Sequence, residues 1–316
     1  MQVAVCDASG RRVATSEAPE MVTTLRSAAK PFQLLPLVER GHADRWGLSE
    51  EHLAVMAASH TGSPTHLRVV REILDRLELS DRDLACGYHE PLDPESLAHV
   101  RAHPEARSPL YNNCSGKHAG MLCLSRSEGW PIEHYERPEH EVQRLMRVTV
   151  AEVCGTTPES LGVAVDGCSV SVFALPLSGM AWGYARLATA SDATPRGRAL
   201  DRIRVAMQRH PELTGGAGRL STALMQTYGD AIVAKGGAEG LECAGLTGRG
   251  LGIAVKCEDG ATRAVGPALL ALLDHLAERP TGASLEEWRR PVVRNVAGLD
   301  VGYVEAQLQV LETAPR

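Results

Sequence analysis

The chain has 316 residues, of which 44% are hydrophobic but only 4% aromatic, so aliphatic side chains and alanine must fill a sizeable core. A net charge of -6 without a basic stripe argues against nucleic acid and anionic membranes as partners. The chain shows neither an apolar run of membrane-spanning length nor a basic segment before an apolar start. We therefore expect a cytoplasmic protein, and its eight scattered cysteines are expected to be reduced thiols.

The first predicted element is a β-hairpin, with strands over residues 2–6 and 12–16 around a turn at 7–10. A helix is predicted over residues 27–40, where Ser27 is placed to cap the first turn. A short apolar stretch follows at 53–58. Three further segments of the N-terminal half have helical apolar spacing, and they cover residues 66–77, 117–125 and 139–154.

In the C-terminal half, residues 161–165 are predicted to form a buried strand and residues 189–199 a polar loop. The remaining predicted elements are helices over 200–209 and 267–278, strands over 231–235 and 252–256, and turns at 236–237 and 258–260. Strands near both ends with helices between them predict an α/β fold. Its sheet would be built from both termini, with helices between and around it.

A serine and a lysine stand one helical turn apart in Ser27-Ala-Ala-Lys30. A serine hydroxyl is a weak nucleophile that needs a neighbouring base. A lysine can be that base when burial or nearby positive charge lowers its pKa. This SxxK spacing also fits a capping serine followed by a surface lysine, so alone it leaves both interpretations open.

A second lysine of interest is Lys235, which ends a predicted strand and precedes Gly236 and Gly237. This arrangement resembles the KTG element of the SxxK acyl-transfer enzymes. Glycine at this point lets a substrate approach the backbone closely. An edge-strand lysine before a turn would give the same pattern, but the two elements occur in the chain order of those enzymes and so strengthen each other.

Reactive side chains are concentrated in segment 112–118, Asn-Asn-Cys-Ser-Gly-Lys-His. Cys114 and Lys117 have the three-residue spacing that aligns side chains on one helical turn, and Asp166 and Cys168 add a carboxylate and a thiol. Thiolates, carboxylates and imidazoles are ligands of Zn²⁺. No CxxC pair accompanies them, so buried thiols with loop hydrogen bonds are the other interpretation of this segment.

Five motifs occur in one order along the chain. They are Arg26-Ser-Ala-Ala-Lys-Pro-Phe-Gln33, Ala58-Ser-His-Thr-Gly62, Asn112-Asn-Cys-Ser-Gly-Lys-His-Ala-Gly-Met121, Val165-Asp-Gly-Cys168 and Ala234-Lys-Gly-Gly-Ala-Glu-Gly240. This set closely resembles the Rhizobium etli-type asparaginases, a family also called asparaginase II. The resemblance extends from about residue 3 to about residue 310, and segment 112–121 is its most specific part.

The resemblance implies a fold like that of the serine β-lactamases and penicillin-binding proteins. It implies a single catalytic domain over residues 1–316, in which two lobes could hold the active site between them. The implied activity is hydrolysis of L-asparagine to L-aspartate and ammonia. A homodimer and a zinc ion near the active site are implied as well.

Carried over residue by residue, the family's two Ser-Lys pairs are Ser27 with Lys30 and Ser59 with Lys235. The implied zinc ligands are Cys114, Lys117 and Cys168, with Asp166 close by. A lysine ligand must be neutral to offer its lone pair, so zinc affinity should depend on pH. The expected substrate-binding residues are Arg26, His60, Asn113, His118, Asp166, Gly236 and Glu239.

The mechanism we expect is acyl transfer through a covalent β-aspartyl ester. By analogy with SxxK enzymes, Ser27 attacks the amide carbon, a neutral Lys30 takes its proton, and Ser59 with Lys235 protonates the leaving ammonia. The sequence does not decide which serine is the nucleophile. Two alternatives stay open: an amidohydrolase acting on glutamine, a modified asparagine or a β-lactam, and a zinc-binding homologue without turnover, against which the two Ser-Lys pairs argue.

Overall fold

The strands of the protein come from both ends of the chain. The computed structural model describes residues 1–276, 285–309 and 311–312. Its strands are, in chain order, β1 (Gln2–Asp7), β2 (Arg12–Thr15), β3 (Val22–Thr24), β4 (Gly162–Val165), β5 (Ser171–Pro176), β6 (Ile232–Gly237), β7 (Leu241–Leu246), β8 (Leu251–Lys256), β9 (Val292–Arg294), β10 (Asp300–Tyr303) and β11 (Leu311–Glu312).

A central antiparallel sheet has the strand order β11-β2-β1-β8-β7-β6. The first strand of the chain pairs with β8, from Gln2 opposite Lys256 to Asp7 opposite Leu251. The prediction of one sheet built from both termini is therefore confirmed, in a mixed α/β fold. Two smaller antiparallel sheets accompany it, β3-β5-β4 and the pair β10-β9.

The helices surround this sheet. They are α1 (Lys30–Glu39), α2 (His42–Arg45), α3 (Glu50–Met56), α4 (Pro64–Arg76), α5 (Pro94–Ala102), α6 (Ser115–Glu128), α7 (Glu141–Val153), α8 (Leu177–Ala188), α9 (Pro195–Arg209), α10 (Pro211–Gly215), α11 (Leu220–Tyr228), α12 (Val265–His275) and α13 (Glu286–Arg289). None of them, among the described residues, combines the length and apolar content needed to cross a bilayer.

Two helices, α8 and α1, form much of the core. Helix α8 packs directly on β8 and β1, and Gly252 makes this close approach possible, because a Cβ there would lie 1.9 Å from the Ala181 carbonyl oxygen. Helix α1 packs against α6, α7 and α9. All of its residues from Lys30 to Val38 are buried, so a lysine at its start is forced into the core.

The start of α1 differs from its prediction. Residues Arg26–Ala29 form a 3-10 turn, and the α-helix begins only at Lys30 without a side-chain cap, so the prediction of Ser27 as its cap was wrong. The Lys30 N–H is satisfied instead by the Ser27 carbonyl. Pro31 has no N–H to satisfy, which further reduces the need for a capping side chain.

Other boundaries also differ. Strand β4 is exposed rather than buried, with Val165 65% exposed, because it is an edge strand of the small sheet. Gly236 and Gly237 belong to β6 rather than to a turn. The predicted loop 189–199 ends at Pro195, where the Thr194 side chain caps α9. Of the predicted helix 267–278, residues 277 and 278 lie outside the described part of the chain.

Candidate active site

Lys30 lies at the centre of the site, with 1% of its surface exposed. Its Nζ is 2.5 Å from the Ala58 carbonyl oxygen, 2.9 Å from Ser59 Oγ and 3.2 Å from the Asn113 carbonyl oxygen. These partners come from the segments that follow α3 and precede α6. The pair that forms a hydrogen bond is thus Lys30 with Ser59, whereas Ser27 Oγ makes no hydrogen bond to any described residue.

The three partners of Lys30 impose a direction on its amine. A carbonyl oxygen can only accept a hydrogen bond, whereas a serine hydroxyl can also donate one. A neutral amine has two N–H groups and one lone pair. If the two carbonyls of Ala58 and Asn113 take the N–H groups, the lone pair faces the Ser59 hydroxyl. Burial lowers the pKa of Lys30, and the Lys117 ammonium lowers it further, while Cys114 and Cys168 oppose the shift.

Lys235 shares a cavity with Ser59. Both residues line a cavity of about 170 Å³ that also contacts Gly236 and Glu242. Lys235 is buried and its Nζ donates to the Gly236 carbonyl oxygen at 2.9 Å. Burial, followed by the positive charge of Lys30, holds the pKa of Lys235 well below its usual value. The two amines are therefore close enough to oppose each other's protonation.

Lysine is confined to the interior of this protein. Lysine and arginine together number 33, but only four of them are lysines. All four are buried: Lys30, Lys117, Lys235 and Lys256. Arginine keeps its charge in proteins, whereas a buried lysine can lose its proton. The side-chain positive charge at the surface is thus supplied by arginine, and the lysine amines, which can be neutral, occur only inside.

Ser27 follows a residue with an unusual backbone. Arg26 has a φ of 47° and Glu239 a φ of 64°, both in the left-handed region that non-glycine residues rarely adopt. The Arg26 guanidinium bridges Asp166 at 3.0 Å and Glu239 at 2.9 Å. Strained backbone of this kind is often held in place at functional sites. The bridge joins three of the predicted substrate-binding residues at the entrance to α1.

The predicted zinc ligands lie together. Lys117 Nζ is 3.0 Å from Cys168 Sγ, and Cys168 Sγ is 3.7 Å from Asp166 Oδ2. The pKa of Cys114 is lowered, mainly by a hydrogen bond from Cys168 and further by the charges of Lys117 and Lys30, although burial opposes the shift. The donor set of two thiols, an amine and a carboxylate is compatible with Zn²⁺. No group of three or more His, Cys, Asp and Glu residues in the described ranges is arranged for a metal, so a site here depends on the lysine.

Of the other predicted substrate-binding residues, Gly236 lines the cavity beside Ser59, whereas His60, Asn113 and His118 do not. His60 Nδ1 accepts the Gly62 N–H at 3.1 Å, and its Nε2 lies 2.8 Å from Ser115 Oγ. His118 Nδ1 contacts the Tyr135 hydroxyl at 2.6 Å. Both rings are buried, which holds their pKa values well below the usual range, so they are neutral. Their contacts hold the segments that carry Ser59 and Cys114.

Glu242 is a site residue that the sequence analysis missed. It lies on β7 opposite Gly236, is 5% exposed and lines the same cavity as Ser59. Burial raises its pKa to about 7, although Ser221 and Lys235 oppose the shift. Strand β7 was not predicted, and the only signal was a single carboxylate in the apolar run Leu-Glu-Cys-Ala-Gly-Leu.

Comparison with known protein families gives one match. The family model described as L-asparaginase II matches residues 1–306. No curated protein matches the chain. The matched range contains all the residues that the sequence analysis placed in the site and also Glu242, so the geometry above belongs to the matched region.

Proposed function

Because the chain belongs to the L-asparaginase II family, we propose that it hydrolyses L-asparagine to L-aspartate and ammonia by serine-lysine acyl transfer. Family membership supports an asparaginase-type amidohydrolase. The observation that carries the mechanism is the 2.9 Å contact between the Lys30 amine and the Ser59 hydroxyl. A serine and a buried base within hydrogen-bond distance form the arrangement that nucleophilic catalysis requires.

In the first half of the reaction, Ser59 Oγ attacks the carbon of the side-chain amide and its proton passes to Lys30. The C–N bond then breaks, and Lys30 returns the proton to the leaving nitrogen, so ammonia departs and a β-aspartyl ester remains on Ser59. Water next attacks the ester while Lys30 takes a proton from it. Release of L-aspartate returns that proton to Ser59, so that asparagine and water are converted to aspartate and ammonia.

Lys235 supports this sequence without exchanging a proton in it. It lines the reaction cavity, where burial and then the charge of Lys30 hold its pKa well below the usual value. Two amines this close oppose each other's protonation, so Lys235 helps to keep Lys30 able to accept a proton. The proton transfers themselves are assigned to Lys30, and positioned proton transfer is commonly worth about 10²–10⁴-fold in rate.

A second assignment makes Ser27 the nucleophile, with Ser59 and Lys235 passing protons. Two observations favour it: the SxxK spacing, and the left-handed backbone of Arg26, which fixes the direction in which Ser27 leaves the preceding strand. Against it stands the missing hydrogen bond between Ser27 and Lys30. The two assignments make different demands on the two serines, so replacement of each separates them.

Ammonia release from a panel of amides tests the activity itself. We expect release from L-asparagine that exceeds release from L-glutamine, and no opening of a penicillin. Preferred hydrolysis of glutamine or of the lactam would select the alternative amidohydrolase. Release from none of the panel, by protein confirmed to be folded, would contradict the proposal and select the non-enzymatic alternative.

We also propose that the architecture is β-lactamase-like and forms one catalytic domain over residues 1–316. Strands from both termini in one antiparallel sheet support this, as does the helix that carries an SxxK lysine into the core. In such a domain the cavity beside Ser59 lies between the edge strand β6 and the helical region. We also propose a cytoplasmic location, which the eight free, buried cysteines support, because thiols stay reduced in that compartment.

Zinc is proposed at the cluster of Cys114, Lys117 and Cys168, with Asp166 beside it. The ion would connect segment 112–118 to segment 166–168 and could orient a substrate polar group. Its affinity should fall at low pH, because the thiolates and the neutral amine that it needs become protonated. We expect about one zinc per chain in protein purified without chelator.

The zinc test needs a control for the loss of buried thiols. The double variant Cys114→Ala, Cys168→Ala should lose the metal and melt at a lower temperature. Cys123→Ala removes a buried thiol outside the cluster, from the helix α6 that carries Lys117, and should keep the metal. Metal-free wild-type protein, whose melting temperature does not rise on zinc addition, would rule the site out.

A homodimer is the remaining proposal. The family resemblance supports it, and light scattering at micromolar concentration should give about twice the 33.9 kDa mass of one chain. The expected mass should not change with zinc, since none of the proposed ligands is at the surface. A fully active monomer over the same concentration range would contradict a dimer.

A further inference from the structure

The cavity beside Ser59 contains a carboxylate that the acyl-transfer steps do not use. Glu242 Oε1 accepts a hydrogen bond from Ser221 Oγ at 2.5 Å, and Ser221 Oγ accepts the Gly236 N–H at 2.9 Å. Because the hydroxyl oxygen of Ser221 already holds the Gly236 N–H, its only proton points to Glu242. One carboxylate oxygen is therefore fixed at the free edge of β6.

The other oxygen of Glu242 is left without a partner. Oε2 makes no hydrogen bond or ion pair with any residue that the structure describes. It lies 2.7 Å from the position where a Cβ of Gly236 would stand, so only glycine at 236 lets the carboxylate cross over β6. Glu242 is only 5% exposed, so little water can solvate its free oxygen, and a cation or donor that enters the cavity would stabilise it.

The surroundings indicate which ligand would bind there. Glu242 is the only carboxylate among the described residues that line the cavity, which also carries the cationic side chains Lys235 and Arg219. The Lys235 amine donates to the Gly236 carbonyl oxygen. An α-amino acid amide brings an ammonium group for a carboxylate together with an amide group for the serine. The α-carboxylate of such a substrate could pair with the Arg219 guanidinium, which lines the same cavity.

We propose that Glu242 Oε2 binds the α-ammonium group of the substrate and is a specificity-determining residue. This rests on the proposed hydrolysis of L-asparagine and adds the residue by which the site would distinguish α-amino acid amides from amides without an amino group. Ser221 is then a positioning residue, which holds the carboxylate in its place. The role of Glu242 is in recognition, so its loss should act on substrate affinity rather than on the chemical steps.

The kinetic test compares L-asparagine with succinamate, which is the same amide without the amino group. Glu242→Gln keeps an oxygen for the Ser221 hydroxyl but offers the ammonium an N–H instead of a carboxylate oxygen. We expect KM for L-asparagine to rise about 10–100-fold, the worth of a charged hydrogen bond, with little change in kcat. Kinetics with succinamate should stay the same, and Glu105→Gln at the surface should change neither substrate.

If Glu242→Gln lowered kcat/KM equally for L-asparagine and for succinamate, the role of Glu242 would be structural, and the inference would be overturned. Ser221→Ala should give a smaller rise in KM for L-asparagine alone. Binding of L-aspartate and succinate, measured by calorimetry, tests recognition without turnover. Wild type should prefer L-aspartate, and Glu242→Gln should bind the two alike. If the wild type binds L-aspartate no better than succinate, or binds neither of them, the inference is overturned. If it prefers L-aspartate but hydrolyses no amide, only the proposed function is contradicted.

Discussion

Replacing Lys30 by arginine is expected to reduce ammonia release from L-asparagine by at least about 10³-fold, within the range of a lost general base. Arginine retains a positive charge and the ability to donate to the Ala58 and Asn113 carbonyls. It cannot offer a lone pair to the Ser59 hydroxyl, because it stays protonated. The variant therefore removes the base while keeping donors in its place.

The pH dependence gives a second readout of Lys30. Burial shifts the pKa of this amine downward, so the neutral form persists to a lower pH than in a free lysine. Activity requires the neutral form, and kcat/KM should therefore rise with pH through the lowered pKa and fall below it. Lys30→Arg should show no such rise.

Two controls separate chemistry from folding. Lys256→Arg changes another buried lysine, whose partners are two backbone carbonyls and no serine, and it should keep most of the activity. Lys30→Met removes the base without leaving a buried charge, so it should be as inactive as Lys30→Arg yet fold normally by circular dichroism. Either Lys30 variant with near wild-type turnover would exclude Lys30 as the base.

Ser59→Ala should reduce turnover by about 10⁴-fold or more, because it removes the atom that forms the ester. Ser27→Ala should keep turnover within about tenfold, no more than the scale of one hydrogen bond, because Ser27 Oγ makes none to a described residue. The two variants change the same group, a serine hydroxyl, in neighbouring segments of one site. Steady-state ammonia release at saturating L-asparagine measures both, and the reverse order of losses would assign the attack to Ser27.

The sequence predicts which residues form this site better than it predicts which of them are hydrogen-bonded to each other. The motifs identified Ser27, Lys30, Ser59 and Lys235. The structure gives Ser59 a hydrogen bond to Lys30 and places Ser59 and Lys235 in the lining of one cavity. Spacing along a helix shows only which neighbours share a face. It does not show that the long Lys30 side chain crosses to the segment after α3, and so the hydrogen-bonded partner could not be read from the motif.

The secondary structure of the fold was likewise predicted only in part. Short apolar segments predicted β1, β2, β6 and β8, because each contains valine, two of them with isoleucine as well, and is bounded by turn residues. Strand β7 and helix α8 were missed. The glycine, alanine and cysteine of β7 have weak strand preference, and α8 packs through small residues instead of a wide apolar face. Glu242 was missed together with its strand.

The most direct test of the mechanism is to trap its intermediate. Wild-type protein is mixed with L-asparagine, quenched in acid within one turnover, and analysed by intact mass and by peptide mapping. We expect a transient species heavier by one β-aspartyl group, with that group on Ser59, and its absence from Ser59→Ala. An adduct on Ser27 would contradict the assignment of the nucleophile. Ammonia release with no adduct on either serine, under conditions that preserve an ester, would contradict serine acyl transfer itself.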